Sequence, residues 1–375
     1  MRIIADENIP LLQDYFSIFG EIVPVNGRNL QREELDAADI LLVRSVTPVN
    51  ADLLAGTRVR FVGTCTIGTD HLDTTWLQSE SIAYASAPGC NAGGVAQYVL
   101  TALTQLRPGW RNLKVGIVGC GNVGGRIYHL LTKLGVDCVG YDPFLEQSAT
   151  LRLVSFDELL ASDVICMHTP LTRTGPYPTE HMIDGAVLKK LRPGTLLLNA
   201  GRGGAIDNAA LLAHLQNGAE LQVVLDVWEK EPAINPQLAR AVAVATPHIA
   251  GYSNEGRING SAMICRELAQ FLGWSADRID QHLAGIEEKI GDNSNEHRVG
   301  GLEEAMSCTY DLEGDHQRLM AAVNGDAPLG RAFDYLRKHY PERHEPSWYR
   351  VSLAQPDAGA KAQLEAAGFH VQVRT

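Results

Sequence analysis

The chain of 375 residues predicts an α/β fold built on a doubly wound parallel sheet. Two observations carry that expectation. Apolar runs recur at 115–118, 136–141, 163–167, 195–199, 222–226 and 242–245, with segments of helical spacing between them. Strands buried on both faces read as continuous apolar stretches, and parallel neighbours need crossovers long enough for a helix. The first of these runs also leads directly into a glycine-spaced turn, Gly119-x-Gly121-x-x-Gly124, followed by a helical pattern. A chain of this length exceeds what one hydrophobic core serves, so two or three domains are expected.

Taken in order, the first segment carries short apolar runs at 3–5, 40–43 and 59–63, with helical patterns over 8–20 and 30–38. LLVRSVTPVN places Arg44, Ser45 and Thr47 at the carboxyl end of a strand, where an open α/β sheet presents its ligand crevice. A second block opens near Pro88, with a helix predicted over 92–106 and others over 123–134, 157–161, 180–190 and 207–216. Gly135 and Gly218 are placed to end helices. A long helix follows over 253–270, and a polar stretch at 287–298 sets a boundary near 286. Beyond it lie helical patterns at 301–322 and 328–339 and the strand-like WYRVSLA and HVQVR.

Charge and cysteine usage narrow the function classes. With 44 acidic and 32 basic side chains the formal charge is -12, which offers no general field for nucleic acid or anionic lipid. No run of about 20 apolar residues is present, so a membrane span is not expected. MRIIADENIP has too short an apolar run for a signal peptide. The 7 cysteines are widely spaced without a CxxC, a pattern that fits free thiols in a reducing compartment and a cytoplasmic location.

The glycine turn predicts dinucleotide binding. Gly119 permits the turn, Gly121 allows backbone to approach pyrophosphate, and Gly124 lets helix and strand pack closely. The amides opening the helix at Asn122 and Val123 offer N–H groups to phosphate. The next strand ends at Asp142, placed to accept hydrogen bonds from the adenine ribose and to repel a 2′-phosphate, so NAD is the expected cofactor. Asp142 capping a turn with Pro143 is the plainer alternative.

Three later segments, LLLNAGRGGAID, VVLDVWEKEP and VAVATPHIAGYS, bring Arg202, Asp226, Glu231 and His248 to one sheet edge. This set suits oxidation of a 2-hydroxy acid. Arginine supplies a planar fork for carboxylate, and histidine titrates near neutrality and can take a hydroxyl proton. A carboxylate on the other ring nitrogen would fix its tautomer, the role assigned to Glu231; from spacing its neighbour Glu229 is also a possible partner. Asp226 is a candidate for nicotinamide or ribose contact. His168, in CMHTPLT, is expected to form a wall, with Thr169 beside the cofactor and His71 near a substrate loop. None of these histidines has metal-ligand spacing, and no metal is expected.

Taken together, GCGNVG, Asp142, HTPLT, NAGRG, DVWEKEP and PHIAG resemble the D-isomer-specific 2-hydroxyacid dehydrogenase family over roughly residues 1–285. The resemblance implies a Rossmann-like nucleotide domain inserted into a smaller flavodoxin-like α/β substrate domain. It implies Arg202 as the carboxylate-binding arginine, Glu231 as the histidine partner and His248 as the acid–base residue. MRIIADENIP, LLVRSVTPVN, FVGTCTIGTDHLD, SAPGCNAGGVAQYV, PHIAGYSNEGR and AMSCTYDLEGDHQRL are similar to one subgroup, which acts on a phosphorylated 2-hydroxy acid and carries a C-terminal α+β dimerisation domain. That likeness puts Ser45 and Thr66 at substrate with Tyr252 beside them. It puts Asp142, Thr169, Ala200, Gly201, Arg202, Asp226 and Gly251 on cofactor-contact positions, and it implies a homodimer. The implied domains are 1–90 and 252–286 for substrate, 91–251 for NAD, and 287–375 for dimerisation. Alternatives are a dehydrogenase of 3-phosphoglycerate or of another D-2-hydroxy acid, and a non-catalytic NAD(H)-sensing protein. The phosphate-binding side chain is not identified by sequence. Arg44 is a candidate whose strand parity could turn it away from substrate.

Overall fold

The computed structural model of the chain describes residues 1–290 and 296–372. It divides into two compact units, Met1–Asn91 with Ser253–Asp292, and Ala92–Tyr252 with Asn293–Thr375.

In the first unit five parallel strands, β1 (Arg2–Asp6), β2 (Glu21–Val25), β3 (Ile40–Val43), β4 (Phe61–Thr64) and β5 (Ala83–Ala85), lie in the order β2-β1-β3-β4-β5. This is the flavodoxin-like order. The interior strands β1, β3 and β4 are the ones that read as apolar runs, and β3 and β4 are buried at every residue. The edges escape that reading. β2 contains Pro24, which an edge tolerates because one side of its backbone needs no ladder partner, and β5 has only three residues. The helical pattern over 30–38 closes instead as short 3-10 turns, Gly27–Asn29 and Arg32–Leu35, the second held by a capping box between Gln31 and Glu34. The helix Asn254–Phe271 opens on a Ser253 side-chain cap and lays Ile264, Cys265 and Leu268 against Ile3, Ile40 and Phe61. A further helix, Ala276–Ile290, continues through the first part of the polar stretch.

The second unit holds six parallel strands, β6 (Lys114–Val118), β7 (Asp137–Tyr141), β8 (Val164–Met167), β9 (Leu196–Asn199), β10 (Gln222–Leu225) and β11 (Val244–Ala245), in the order β11-β10-β9-β8-β6-β7. The chain runs from β6 outward to β7 and then returns to the other side of β6 as β8. Strand order therefore reverses beside β6, and the carboxyl ends at such a reversal form the ligand crevice of a doubly wound sheet. Side chains alternate across the sheet. Val115 and Ile117 pack beneath the helices Ala92–Leu106 and Asn122–Lys133, whereas Val118, Ile165 and Leu197 face the layer containing the helix Asn208–Gln216.

The C-terminal part adds a three-stranded parallel sheet, β12 (Glu296–Val299), β13 (Arg350–Leu353) and β14 (His370–Gln372), in the order β12-β13-β14. The helical pattern over 301–322 breaks into Leu302–Thr309 and Leu312–Asn324, because the Asp311 side chain accepts the Gly314 N–H and starts a new helix. Leu302, Met306 and Tyr310 join the core on one face of the nucleotide sheet, and Leu319, Val323 and Phe333 join the core on the other. No helix among the described residues is long and apolar enough to cross a membrane.

Candidate active site

The glycine turn leaves β6 at the sheet's reversal point. Gly119 adopts φ +83°, a left-handed conformation that suits glycine, and its N–H bonds the Tyr141 carbonyl. A Cβ on Gly124 would stand 1.8 Å from the Gly119 carbonyl oxygen, so the helix Asn122–Lys133 can approach its strand only without one. Gly121 differs: a Cβ there would meet no atom of the chain within 4 Å. Its side faces open space at the mouth of a helix whose N-cap makes no side-chain hydrogen bond. Uncapped first-turn amides beside bare backbone suit a pyrophosphate. Asp142, half-buried just past β7, accepts the Cys120 N–H on Oδ2 at 3.0 Å and the Phe144 N–H on Oδ1 at 3.0 Å. Each oxygen keeps acceptor capacity for a diol. Across the turn, Thr169 Oγ1 is buried without a hydrogen-bond partner among the described residues. The donors, acceptors and cradle therefore fit a dinucleotide such as NAD.

The reactive set gathers at the carboxyl ends of β9, β10 and β11. Ala200 and Gly201 turn the chain out of β9, and a Cβ on Gly201 would stand 2.9 Å from the Thr169 carbonyl oxygen. The Asn199 side chain pins this turn by accepting the Gly201 N–H and donating to the Arg202 carbonyl. Arg202 is half-buried. Asp226 is 1% exposed and organises the histidine loop. Its Oδ1 accepts Thr246 Oγ1 at 2.6 Å and the Ile249 N–H at 2.7 Å, and its Oδ2 accepts the Ala250 N–H at 2.9 Å. Burial pushes its carboxyl up, against the favourable pull of His248 and these donors.

His248 is held by Glu231, not Glu229. Glu231 Oε2 lies 2.7 Å from His248 Nδ1, and Oε1 accepts the Trp228 N–H at 2.8 Å. A carboxylate only accepts, so Nδ1 carries the proton and Nε2 remains the basic nitrogen. Burial pushes the Glu231 carboxyl up, but the His248 ring, the Trp228 amide and the charge of Arg337 outweigh it and hold the group below the usual carboxylate range. Glu229 instead takes His181 Nε2 at 2.6 Å and the Asn208 N–H. Asp207 completes a His181–Asp207–Glu229 grouping, but it also caps the helix Asn208–Gln216.

In the first unit, Ser45 is exposed just past β3, and Thr66 Oγ1 lies 2.8 Å from Thr64 Oγ1, which also meets His71 Nε2 at 3.0 Å. Arg44 lies 4.0 Å from the buried Asp6 carboxylate. In the second unit, Gly251 and Tyr252 continue the histidine loop, and the Tyr252 N–H bonds the Ile249 carbonyl. His168 forms a wall beneath the glycine turn, with both ring nitrogens buried and without partners among the described residues.

Comparisons place this geometry among known proteins. The family model for the D-isomer specific 2-hydroxyacid dehydrogenase NAD binding domain matches residues 101–250. A separate domain of unknown function matches residues 290–368. The chain is 50% identical to an erythronate-4-phosphate dehydrogenase of Saccharophagus degradans over 361 residues, covering 95% of this chain and 96% of that protein. The chain belongs to the erythronate-4-phosphate dehydrogenase family of D-isomer-specific 2-hydroxyacid dehydrogenases. A relative from Teredinibacter turnerae is 50% identical over 364 residues, covering 96% of this chain and 98% of its own length. Among solved structures, a D-lactate dehydrogenase from Aquifex aeolicus in complex with NAD and lactic acid shares the fold with a TM-score of 0.59 at 21% identity, covering 76% of this chain and 98% of that one. An NAD-bound 3-phosphoglycerate dehydrogenase of Entamoeba histolytica does so with a TM-score of 0.61 at 23% identity, covering 72% and 95%.

Sequence reasoning within this family frame misses the C-terminal contribution to the histidine loop. Arg343 is 5% exposed and donates to the Ala250 carbonyl at 2.5 Å, and Arg337 lies over the Tyr252 ring. Both arginines sit in LRKHYPERHE, whose mix of charges and aromatics carries no signal of which surface it covers.

Proposed function

We propose that this chain oxidises 4-phospho-D-erythronate to (R)-3-hydroxy-2-oxo-4-phosphooxybutanoate with NAD, a cytoplasmic step of vitamin B6 biosynthesis. The observation that carries the reaction class is the Glu231–His248 pair at 2.7 Å, with the Arg202 turn at the carboxyl edge of the same sheet. NAD, when bound, supplies the acceptor for the hydride that leaves C2 of the substrate. His248 Nε2 takes the C2 hydroxyl proton, and Glu231 stabilises the imidazolium that results. Arg202 holds the substrate carboxylate and draws electron density from the forming carbonyl. Gly119, Gly121, Asn122, Val123 and Gly124 hold pyrophosphate, and Asp142 takes the adenine ribose. Thr169, Ala200, Gly201 and Gly251 line the cofactor. Asp226 uses three acceptor positions on the histidine loop and keeps one for the carboxamide. Ser45, Thr66 and Tyr252 contact substrate.

Residues 1–90 and 252–286 then form the substrate domain, 91–251 the NAD domain and 287–375 the dimerisation domain of a homodimer. The deciding measurement is kcat/KM with NAD for 4-phospho-D-erythronate against 3-phosphoglycerate, in wild type and in His248→Ala. Wild type is expected to prefer 4-phospho-D-erythronate, and turnover is expected to disappear with His248→Ala. Preference for 3-phosphoglycerate would reassign the substrate, and NADH binding without turnover of any 2-hydroxy acid would favour a sensing role. Light scattering of the full chain at micromolar concentration should report a dimer; a monomer overturns the proposed assembly.

A further inference from the structure

Arg337 stands near the end of the helix Leu329–Lys338, in the C-terminal part of the chain. Its guanidinium lies 5.6 Å from the centroid of the Tyr252 ring, and Tyr340 meets that same ring edge-on at 5.9 Å. Arg337 Nε is buried and has no hydrogen-bond partner among the described residues. Glu231 and Asp226 are near enough for their charges to act on it, yet their oxygens are already engaged. Glu231 accepts from His248 and Trp228, and Asp226 accepts from Thr246, Ile249 and Ala250. Arg337 is half-buried and its guanidinium also bonds Tyr252, but Nε remains a buried donor without a partner among the described residues, and such a group is suited to receive an oxyanion.

The substrate read above has two anionic ends. Arg202, on the turn after β9, serves the carboxylate beside the reacting carbon. The other end is a phosphate monoester, whose oxygens match the fork of a guanidinium. Tyr252, the side chain placed beside substrate, is also the ring on which Arg337 rests. We propose that Arg337 binds the phosphate of the substrate, so that the C-terminal region supplies the discrimination between phosphorylated and unphosphorylated 2-hydroxy acids. The proposal rests on the reaction assigned above. It gives the helix Leu329–Lys338 a direct part in substrate choice, and it leaves Arg44 to its Asp6 neighbour.

The test compares kcat/KM for 4-phospho-D-erythronate and for D-erythronate, at saturating NAD, in wild type, Arg337→Gln and Arg337→Lys. Loss of a charge-assisted contact should lower the value for the phosphorylated acid by about tenfold to a hundredfold in Arg337→Gln, mainly through KM. The value for D-erythronate should fall clearly less, because that acid never makes the contact and loses only the effect of the Arg337 charge on Glu231. Lysine should restore part of the loss by keeping the charge without the fork. Equal losses on both acids would make Arg337 a positioning residue for Glu231 and overturn the proposal, as would an unchanged preference for the phosphorylated acid. If Arg337→Gln does not fold, Arg337→Lys decides on the same pair of substrates. A second readout needs neither NAD nor turnover. Inorganic phosphate should raise the thermal midpoint of wild type most, that of Arg337→Lys less and that of Arg337→Gln least. An equal rise in all three proteins overturns the proposal. Wild type that oxidises neither acid would instead sink the reaction assignment, and the phosphate shift would still judge Arg337.

Discussion

His168 is kept neutral by its surroundings. It leaves β8 beneath the glycine turn, its ring nitrogens are buried, and burial pushes its pKa down to about 3. In the unfolded chain the same ring takes its proton near pH 6.5. Below that pH the unfolded state therefore binds more protons than the folded state. The stability involved is fully present above about 6.5 and is lost as pH falls toward about 3, with a slope approaching about 1.4 kcal/mol per pH unit. His71, pushed down to about 4 by burial, adds a loss of the same sign. His168→Asn should accordingly flatten the dependence of urea-derived stability on pH between about 7 and 5, a window above most carboxylate titration. An unchanged slope would mean that the ring is solvated or paired in solution. The pair of acids flanking Lys230 shows what sequence can and cannot settle at this scale. Spacing favours Glu231 but leaves Glu229 open, and only the path of the backbone, with Lys230 at φ 59°, sends one to His181 and the other to His248.

The glycine turn after β6 separates glycines demanded by the fold from a glycine demanded by a ligand. Gly124→Ala would drive a Cβ to 1.8 Å from a backbone oxygen, so the helix must move away from its strand. A destabilisation of about 1–3 kcal/mol by urea unfolding is expected, with weakened NADH binding as a consequence. Gly121→Ala places its Cβ against no atom of the chain. Stability should change by less than about 1 kcal/mol, within the ordinary Gly-to-Ala range, while NADH affinity falls in a fluorescence titration. NADH binding to Gly121→Ala at wild-type strength would remove the pyrophosphate from this turn. Legibility at the level of elements follows burial. β6, β8, β9 and β10 are covered on both faces and announce themselves as apolar runs, whereas β2 and β5 lie at edges and carry no such signal. The break at Tyr310 was hidden because apolar spacing continues across it, and a single Asp311 cap decides where the second helix begins.

At the scale of the whole molecule the C-terminal part is a structural member of the nucleotide unit. The polar stretch near 287 invites a boundary there, and the amphipathic patterns beyond it do not reveal which surface they cover. Leu302, Met306 and Leu312 are fully buried in the core on one sheet face, and Leu319 and Phe333 are fully buried in the core on the other. A side chain of this size contributes about 1.5–3 kcal/mol when removed from water. Five of them exceed or approach the entire stability of a typical domain, about 5–15 kcal/mol. Deleting residues beyond 290 also removes His316, whose Nδ1 accepts the Ala245 N–H, and Arg343, which holds the Ala250 carbonyl beside His248. The shortened chain should therefore lose fixed tertiary structure in the nucleotide unit and bind an apolar dye, with near-UV circular dichroism collapsed and far-UV signal largely kept. It should not behave as an intact dehydrogenase that has merely become monomeric. A soluble fragment ending at residue 290 that unfolds cooperatively in urea and binds NADH as the full chain does would show that these buried contacts are dispensable. The C-terminal part would then be an appendage on a core complete without it.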